Sequence, residues 1–584
     1  MASLISKKWN IAPAPTPDVA AELGGYSSIV ARALAQRGLT TRAAAEVFLV
    51  GETAGSTDPL QLTGVPETVE RLGRALARRE KIAVYGDYDV DGVTATALLV
   101  QVLTALGGDV RPYIPHREDE GYGLNHEALR TLAGEGVGVV VTVDCGIRSL
   151  AEADTARALG LDLIITDHHV PGDEIPAAFA VINPKQAGDG YPEKMLAGVG
   201  IAYKLAQALV RAAVGGAAVG RAAVGNGNAA IKASDVLDLV ALGSVADLAP
   251  LAGENRLLVR QGLQVMNRPP DRLRREGLRA MYLSAGIKPG KLDAGTIGFV
   301  LGPRLNAAGR LESALDAYEL MTTTDLYRAG QLAQQLEVQN RERQALTRET
   351  HQRARALAVT SQSESHLLFA AHRDFRHGIV GLAASRLTEE FYRPSIVARI
   401  EDDAVRGSCR SIREFHITNA LDECRDLLIK HGGHAAAAGF TVAPSNLAEL
   451  ETRLRAIAER ELAGLDLRPT VHIDSEARFA ELTPALAAEL ARFEPCGFGN
   501  PAPVLATRGA RVRGLRTMGS EGAHLRLNLI QDGVALDAIG FGLGGWAQRI
   551  DVGASVDLAY TFEIDEWNGE RRLQMKLRDL RLAE

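Results

Sequence analysis

The sequence predicts an α/β protein: a doubly wound domain around a parallel sheet, a long helix leading to a second α/β domain, and a small β-rich domain at the C-terminal end. Three observations carry this. Residues 81–86 (KIAVYG), 138–143 (GVVVTV) and 161–166 (LDLIIT) are short β-branched apolar runs separated by helical stretches such as 92–106. Buried parallel strands alternating with crossover helices read this way. From about 325 to 358 the periodicity is helical, with charge dense on one face, as in a connecting helix. Near the C-terminal end, 524–530 (HLRLNLI) and 534–541 (VALDAIGF) flank Asp532-Gly533, and 556–564 and 571–578 flank Asn568-Gly569. Alternating runs joined by such dipeptides are hairpin signals.

These signals divide the chain into an N-terminal segment (1–54), the first α/β domain (55–324), the connecting helix (325–358), the second α/β domain (359–465) and the β-rich domain (466–584). At 584 residues the chain exceeds what one hydrophobic core supports, and 46% hydrophobic with 23% charged residues is ordinary for globular domains. No apolar run is long enough for a bilayer and the stretch from Met1 to Asn10 lacks a secretory core, so the expected location is the cytoplasm. Cys145, Cys409, Cys424 and Cys496 form no CxxC pair, which argues against structural zinc and disulfides. A stretch at 211–230 repeats RAAVG and reads as a surface insertion.

The net charge of −7 gives no global attraction to nucleic acid. Basic residues nevertheless cluster: Arg268, Arg272, Arg274, Arg275 and Arg279; then Arg399, Arg406, Arg410 and Arg413; then Arg508, Arg511, Arg513 and Arg516. A solvated surface is the plain alternative for each.

The strongest chemical signal is acidic. In YGDYDVDG (85–92) three carboxylates at spacing two, Asp87, Asp89 and Asp91, follow a strand and precede a helix. Along extended backbone, alternate residues point the same way and would converge. An Asp-rich turn alone is commonly a helix cap. Here, however, VTVDCG places Asp144 after the second strand, and ITDHH places Asp167, His168 and His169 after the third. ALGSVADLAPL (241–251) adds Asp247 beyond an apolar helical stretch. In open α/β sheets, ligands sit beyond the carboxyl ends of the strands, so these groups should face one crevice. Carboxylates with a histidine can hold two divalent ions, which stabilise both oxygens in phosphodiester hydrolysis. The imidazole favours Mn²⁺ without excluding Mg²⁺. No GxSxG elbow occurs, and Cys145 reads as a small turn residue.

In this order, DYDVDG, VDCG, DHH and GSVADLAPL resemble the DHH phosphoesterase family, named for the triplet at 167–169. The likeness is strongest to its single-stranded-DNA exonuclease branch and runs from about residue 55 to the C-terminal end. It implies a DHH domain, a DHH-associated domain and a C-terminal OB-fold. It also implies 5′→3′ hydrolysis of single-stranded DNA to 5′-mononucleotides by two-metal chemistry in DNA recombination and repair. Carried across, Asp89, Asp91, Asp144, His168 and Asp247 match metal ligands, with Asp87 as a further member. His169 matches the histidine on the scissile phosphate, and Asp89 and Asp91 count with it as catalytic. RLNAAGR (304–310) offers Arg304, Asn306 and Arg310 to phosphate oxygens. HGGHAAAAGF (431–440) resembles the glycine-rich signature of the DHH-associated domain, where His434 reaches a phosphate; a tight helix-packing site is its alternative. HREDEGYG (116–123) and GSCRS (407–411) resemble elements of a pocket for a terminal 5′-phosphate, giving Arg117, Ser408 and Arg410. For Arg410 the alternative is an ion pair with Glu401 or Asp402. Stacking positions in the OB-fold stay open among Phe541, Trp546 and Trp567. In PCGFGNP (495–501), Cys496 stands where an aromatic is expected.

The implied partners are single-stranded DNA, a single-stranded-DNA-binding protein and a RecQ-type helicase, with the chain a monomer. Two other functions share parts of this pattern. A DHH enzyme for very short or cyclic oligonucleotides would typically end after the DHH-associated domain. A non-catalytic replication scaffold would lack metal ligands.

Overall fold

The structure is a computed structural model and describes residues 6–51, 57–117, 119–214, 231–311, 313–362, 365–567 and 570–583. Most of the RAAVG repeat and the Asn568-Gly569 turn lie outside the described residues. By packing, the chain divides into two compact units: Gly51–Glu342 with Glu494–Pro501, and Met1–Val50 with Arg343–Phe493 and Ala502–Glu584.

The first unit is built on a five-stranded, wholly parallel sheet. Its spatial order is Asp109–Tyr113, Lys81–Tyr85, Val137–Val143, Asp162–Thr166 and Ala180–Ile182. Alternate residues of each strand enter two different cores. Ile82, Val84, Val139 and Val141 pack with helices Val65–Arg78, Val90–Ala105 and Gly198–Val214. Ala83, Tyr85, Val140 and Ile165 pack with His126–Gly134 and Leu150–Ala158. A sheet buried on both faces explains why its strands read as continuous apolar runs. Helix Val90–Ala105 is buried on nearly every side. Full burial of Leu98, Leu99 and Leu103 contributes about 1.5–3 kcal/mol each.

This strand order reverses direction between Lys81–Tyr85 and Val137–Val143. The first strand's crossover runs to one side and the later ones to the other, which leaves a crevice beyond the strand ends where neither helix closes.

In the second unit, a mixed five-stranded sheet has the order Leu428–Gly433, Ala437–Val442, Val405–Arg410, Ser395–Ile400 and Leu368–His372. Strands Leu505–Met518, His524–Gln531, Val534–Gly540, Glu570–Leu582 and Ser555–Trp567 form a further sheet, closed by pairing of its first and last members. Closure removes the exposed edges. Asp532 and Gly533 both take positive φ, 49° and 82°, at the turn between the second and third of these strands. Strand Lys8–Ile11 pairs in parallel with Thr470–Ile473. Trp9 is seated there, donating to Asp579 at 2.7 Å and covered by the Arg581 guanidinium at 4.2 Å. Helix Leu326–Gln362 runs from one unit into the other. No helix of the described residues is long and apolar enough to cross a membrane.

Candidate metal centre

Strand Lys81–Tyr85 delivers the acidic string to the crevice, and helix Val90–Ala105 leaves from it. Asp89 caps that helix: its Oδ1 accepts from the N–H groups of Asp91 (2.9 Å) and Gly92 (3.1 Å). The cap reading of the Asp-rich turn therefore holds for one oxygen of one residue. The expectation that all three carboxylates alternate along extended backbone needs correction. Asp91 already lies in the first helical turn, and its two oxygens accept from Gly198 N–H (2.7 Å) and Val199 N–H (2.8 Å). Helix packing, not strand pleat, aims it inward. A Cβ on Gly198 would stand 2.8 Å from Asp144 Cβ, and one on Gly243 would stand 2.8 Å from Asp91 Oδ1, so glycine is needed for both helices to close on the carboxylates.

Asp144 follows strand Val137–Val143 with φ at 62°, a left-handed conformation that costs an aspartate about 1–3 kcal/mol. His168 follows Asp162–Thr166, and Asp247 ends helix Leu237–Ala246. Three overlapping triads result: Asp87, Asp89 and Asp144; Asp91, His168 and Asp247; Asp144, His168 and His169. His168 Nε2 lies 3.1 Å from Asp144 Oδ1 and 4.0 Å from Asp91 Oδ2, and its Nδ1 lies 3.8 Å from Asp247 Oδ2. Asp87 Oδ1, Asp144 Oδ1 and His168 Nε2 are buried and make no hydrogen bond. Buried polar atoms are normally satisfied, so orphans gathered around Asp144, which shares one triad with Asp87 and another with His168, fit bound cations. The donor set, carboxylates plus one neutral imidazole, suits Mn²⁺ or Mg²⁺.

Crowding shows in the electrostatics. Burial, then the charge of Asp89, pushes Asp91 up to about 7; burial, then the charges of Asp91 and Asp89, pushes Asp247 up to about 9. Asp144 is raised well above the carboxylate range by burial and by Asp91, Asp89 and Asp87. Burial pushes His168 down to about 3, which leaves the neutral, metal-ligating form. His169 goes the other way. Burial opposes its charge, but the hydrogen bond and charge of Asp167 outweigh burial and raise it above the ordinary histidine value.

Asp167 is not in any of the triads. Its Oδ1 accepts from the backbone N–H of His168 (2.7 Å) and His169 (3.1 Å) and stands 2.7 Å from His169 Nδ1, while Oδ2 accepts from Ile147 N–H (2.9 Å). It fixes the DHH turn and turns the Nε2 edge of His169 outward; that ring remains 40% exposed. Two further residues, absent from the sequence reading, join the site. Tyr122 donates to Asp144 O at 3.2 Å, with its hydroxyl 3.3 Å from His169 Nδ1. Lys185 donates to His168 O at 2.5 Å. Lys185 follows the strand Ala180–Ile182, so the rule that located the other ligands would have found it, had a three-residue strand been recognisable.

Family models match most of the chain: "DHH family, N-terminal domain" at 81–244, "DHHA1 domain" at 364–460 and "RecJ OB domain" at 473–579. The single-stranded-DNA-specific exonuclease RecJ of Bacillus subtilis (strain 168) is 36% identical over 558 residues, which span 95% of this chain and 68% of the relative. The chain belongs to the RecJ family. RecJ from Thermus thermophilus in complex with Mn²⁺ superposes with a TM-score of 0.81 at 29% identity, covering 99% of this chain and 80% of that one. Its Mg²⁺ complex gives 0.76 at 29% identity, covering 99% and 79%. The expected fold class, with its parallel-sheet DHH domain and C-terminal OB-fold, is borne out.

In this member of the RecJ family, the other predicted site residues fall into two groups. Arg304, Asn306 and Arg310 share helix Gly302–Leu311 of the metal-centre unit. Arg304 is held by Glu337 (2.7 Å) and by Val300 O (2.7 Å). Asn306 Oδ1 accepts from Val90 N–H at 3.2 Å, so it braces the acidic loop, and Arg310 one turn on lies on the same face. Arg117 stacks its guanidinium 4.7 Å over Tyr88, between two of the aspartates in sequence. Ser408, Arg410 and His434 belong to the other unit. Arg410 Nη1 donates to Ser408 Oγ (3.1 Å) and Cys409 O (2.8 Å). The alternative ion pairs do not form: Glu401 is taken by Arg399 and Arg406, and Asp402 by Arg373. Burial lowers the Arg410 pKa, with no carboxylate in ion-pair distance among the described residues. HGGHAAAAGF is a β-hairpin between Leu428–Gly433 and Ala437–Val442, not a helix-packing site, and His434 sits exposed at its turn. In the OB-fold Phe541 is 63% exposed, Trp546 is half-buried beside Arg549, and the Trp567 side chain lies outside the described residues.

Proposed function

We propose that the chain is a metal-dependent 5′→3′ exonuclease that hydrolyses single-stranded DNA to 5′-mononucleotides, as its relatives' names suggest for the substrate. One observation carries the reading: orphaned carboxylate and imidazole atoms converge at the topological switch point of a parallel sheet. Asp87, Asp89, Asp91, Asp144, His168 and Asp247 would hold two divalent ions, Mn²⁺ or Mg²⁺. Bound there, such ions stabilise charge on the attacking and leaving oxygens of the phosphodiester.

The chain's own residues set up the rest. His169, held by Asp167, offers its outward Nε2 edge to a non-bridging oxygen of the scissile phosphate. Arg304, Asn306 and Arg310 offer their side chains to phosphate oxygens from one helix, which Asn306 ties to the acidic loop and Arg304 ties to Glu337, and Arg117 serves the terminal 5′-phosphate. Ser408 and Arg410 receive the terminal 5′-phosphate, because a half-buried guanidinium without a counter-anion among the described residues favours the more highly charged end of a strand. His434 reaches a further phosphate from its exposed turn. The OB-fold holds longer single strands. The setting is DNA recombination and repair in the cytoplasm, the chain acting as a monomer alongside a single-stranded-DNA-binding protein and a RecQ-type helicase.

The test is digestion of one single-stranded oligonucleotide labelled separately at each end, with Mn²⁺. The expected result is immediate release of labelled mononucleotide from the 5′ end and a shrinking ladder from the 3′ label. Internal cleavage, or a 3′ mononucleotide first, would refute the polarity. Asp144→Ala and Asp247→Ala should abolish turnover, and near-wild-type hydrolysis by both would refute the metal assignment.

A further inference from the structure

The string PCGFGNP lies beyond the second α/β domain in sequence, yet Glu494–Pro501 packs within the metal-centre unit. It is tightly held there. Arg256 donates to Pro495 O (2.8 Å) and Glu494 O (3.0 Å), and Arg260 donates to Glu494 O (2.8 Å). Buried Asn500 donates from Nδ2 to Pro495 O at 2.9 Å, and Gly497 and Asn500 exchange backbone hydrogen bonds of 2.8 and 3.2 Å. Leu251 N–H donates to Phe498 O at 2.7 Å. Gly499 combines φ of 73° with a Cβ position 2.8 Å from Pro250 Cβ, so a side chain there would be both strained and obstructed.

This anchorage presents one side chain. Phe498 is 61% exposed at the loop tip. A phenyl ring left in water adds little to folding, so a rigid mount for it needs another explanation. The segment it is bonded to begins at the metal ligand. Asp247 and Leu251 are four residues apart, which limits their Cα separation to about 14 Å. Between them Leu248 is 66% exposed and takes φ of 60°, a conformation uncommon for a leucine and free for a glycine. Two apolar groups thus stand in solvent beside the metal centre, each held against the interest of the fold.

We propose that Phe498 is a nucleobase-stacking platform of the catalytic unit, gripping one base of the single strand, with Leu248 a second exposed apolar group in the segment it is bonded to. The proposal rests on the single-stranded-DNA reading above. A phenyl ring matches the face of one base, and an isobutyl group adds little area to it. They fall far short of the roughly 1,000 Å² that a protein interface buries. Stacking also suits an enzyme indifferent to sequence, because every base has a π-face.

The test uses the full chain with Phe498→Ala and Phe498→Trp. Binding is measured by fluorescence anisotropy in EDTA, and hydrolysis in Mn²⁺. The oligonucleotides are an intact single strand and a set in which one abasic residue moves stepwise from the 5′ end. Wild type should lose affinity when the abasic residue reaches one register. Phe498→Ala should bind the intact strand roughly 5- to 150-fold more weakly, with no further loss at that register. Phe498→Trp should keep both affinity and register, and all three proteins should melt alike. Wild-type affinity in Phe498→Ala, or an unchanged abasic penalty at that register, overturns the platform. So does normal oligonucleotide binding with weakened binding of a single-stranded-DNA-binding protein, which would make Phe498 a protein contact. If wild type neither binds nor hydrolyses single strands, the functional reading itself falls; if it does both and Phe498→Ala matches it, only the platform falls.

Discussion

Asp167 acts through His169. Its Oδ1 stands 2.7 Å from His169 Nδ1, and its charge holds that ring above the ordinary histidine pKa despite burial. A group with a raised pKa keeps its proton below that value and loses it as pH rises through it. Asp167→Asn removes the charge, so the alkaline limb of kcat/KM should move to lower pH, with kcat/KM reduced about 10–100-fold as for other outer-shell partners. NMR titration of the His169 ring should show the same shift; an unmoved limb would separate Asp167 from His169. Arg410 poses a similar question of charge. It sits half-buried beside Ser408 without a carboxylate in reach among the described residues. Arg410→Ala should therefore erode the preference for 5′-phosphorylated over 5′-hydroxyl oligonucleotides by roughly 1.5–3 kcal/mol, the worth of one charged hydrogen bond. Equal kcat/KM ratios in wild type and variant would remove Arg410 from that role.

The candidate metal centre forms where several elements end at one place. The crossovers of two paired strands part at the switch point, and helices Val90–Ala105 and Leu237–Ala246 bring Asp91 and Asp247 to the crevice beyond the strand ends. Burying so many carboxylates has a predictable effect. Burial and neighbouring charge raise Asp91 to about 7 and Asp247 to about 9, from an ordinary value near 3.8. Raised carboxyl pKa values favour the fold below the ordinary value, and that contribution is lost as pH rises through the folded ones. In EDTA the melting temperature of the protein should fall progressively between about pH 4 and 9. Mn²⁺ should reverse the fall, most strongly at the alkaline end, since binding a cation requires the ionised ligands. A pH-independent gain with Mn²⁺ would contradict this. Much of the arrangement was legible, because each ligand follows an apolar run and strand ends share an edge. What was not legible depends on long-range packing. Asp91 owes its aim to Gly198 and Val199, over a hundred positions away in sequence. Lys185 follows a strand too short to show periodicity. Strand Lys8–Ile11 pairs with Thr470–Ile473, and Glu494–Pro501 packs against the segment after Asp247; no local pattern announces either.

A net charge of −7 poses a problem for a chain proposed to bind polyanionic strands, and the answer lies in how the arginines are spent. Of the first basic cluster, Arg274, Arg275 and Arg279 are neutralised by Asp235, Asp238 and Glu276. In the second, Arg399 and Arg406 share Glu401. In the third, Arg508 pairs with Asp557 and Glu476, but Arg511, Arg513 and Arg516 stand exposed along strand Leu505–Met518 without an ion pair among the described residues. Arg516 faces Arg526 across the ladder, and Arg526 is itself paired with Asp537 at 2.8 Å. Exposed arginines without an ion pair along one strand suit a phosphate chain. Neutralising phosphates releases counterions, and for single strands log K falls with log salt at a slope near about −0.7 per contact. Replacing Arg511, Arg513 and Arg516 together with glutamine should leave stability unchanged, because all three are exposed. It should make the salt slope for a long single strand shallower by about 2, while hydrolysis of a very short oligonucleotide at the metal centre continues. Anisotropy titrations of wild type and triple variant across a salt series decide it: parallel slopes would place the strand elsewhere on the molecule, and a slope reduced by only one contact would leave a single arginine on its path.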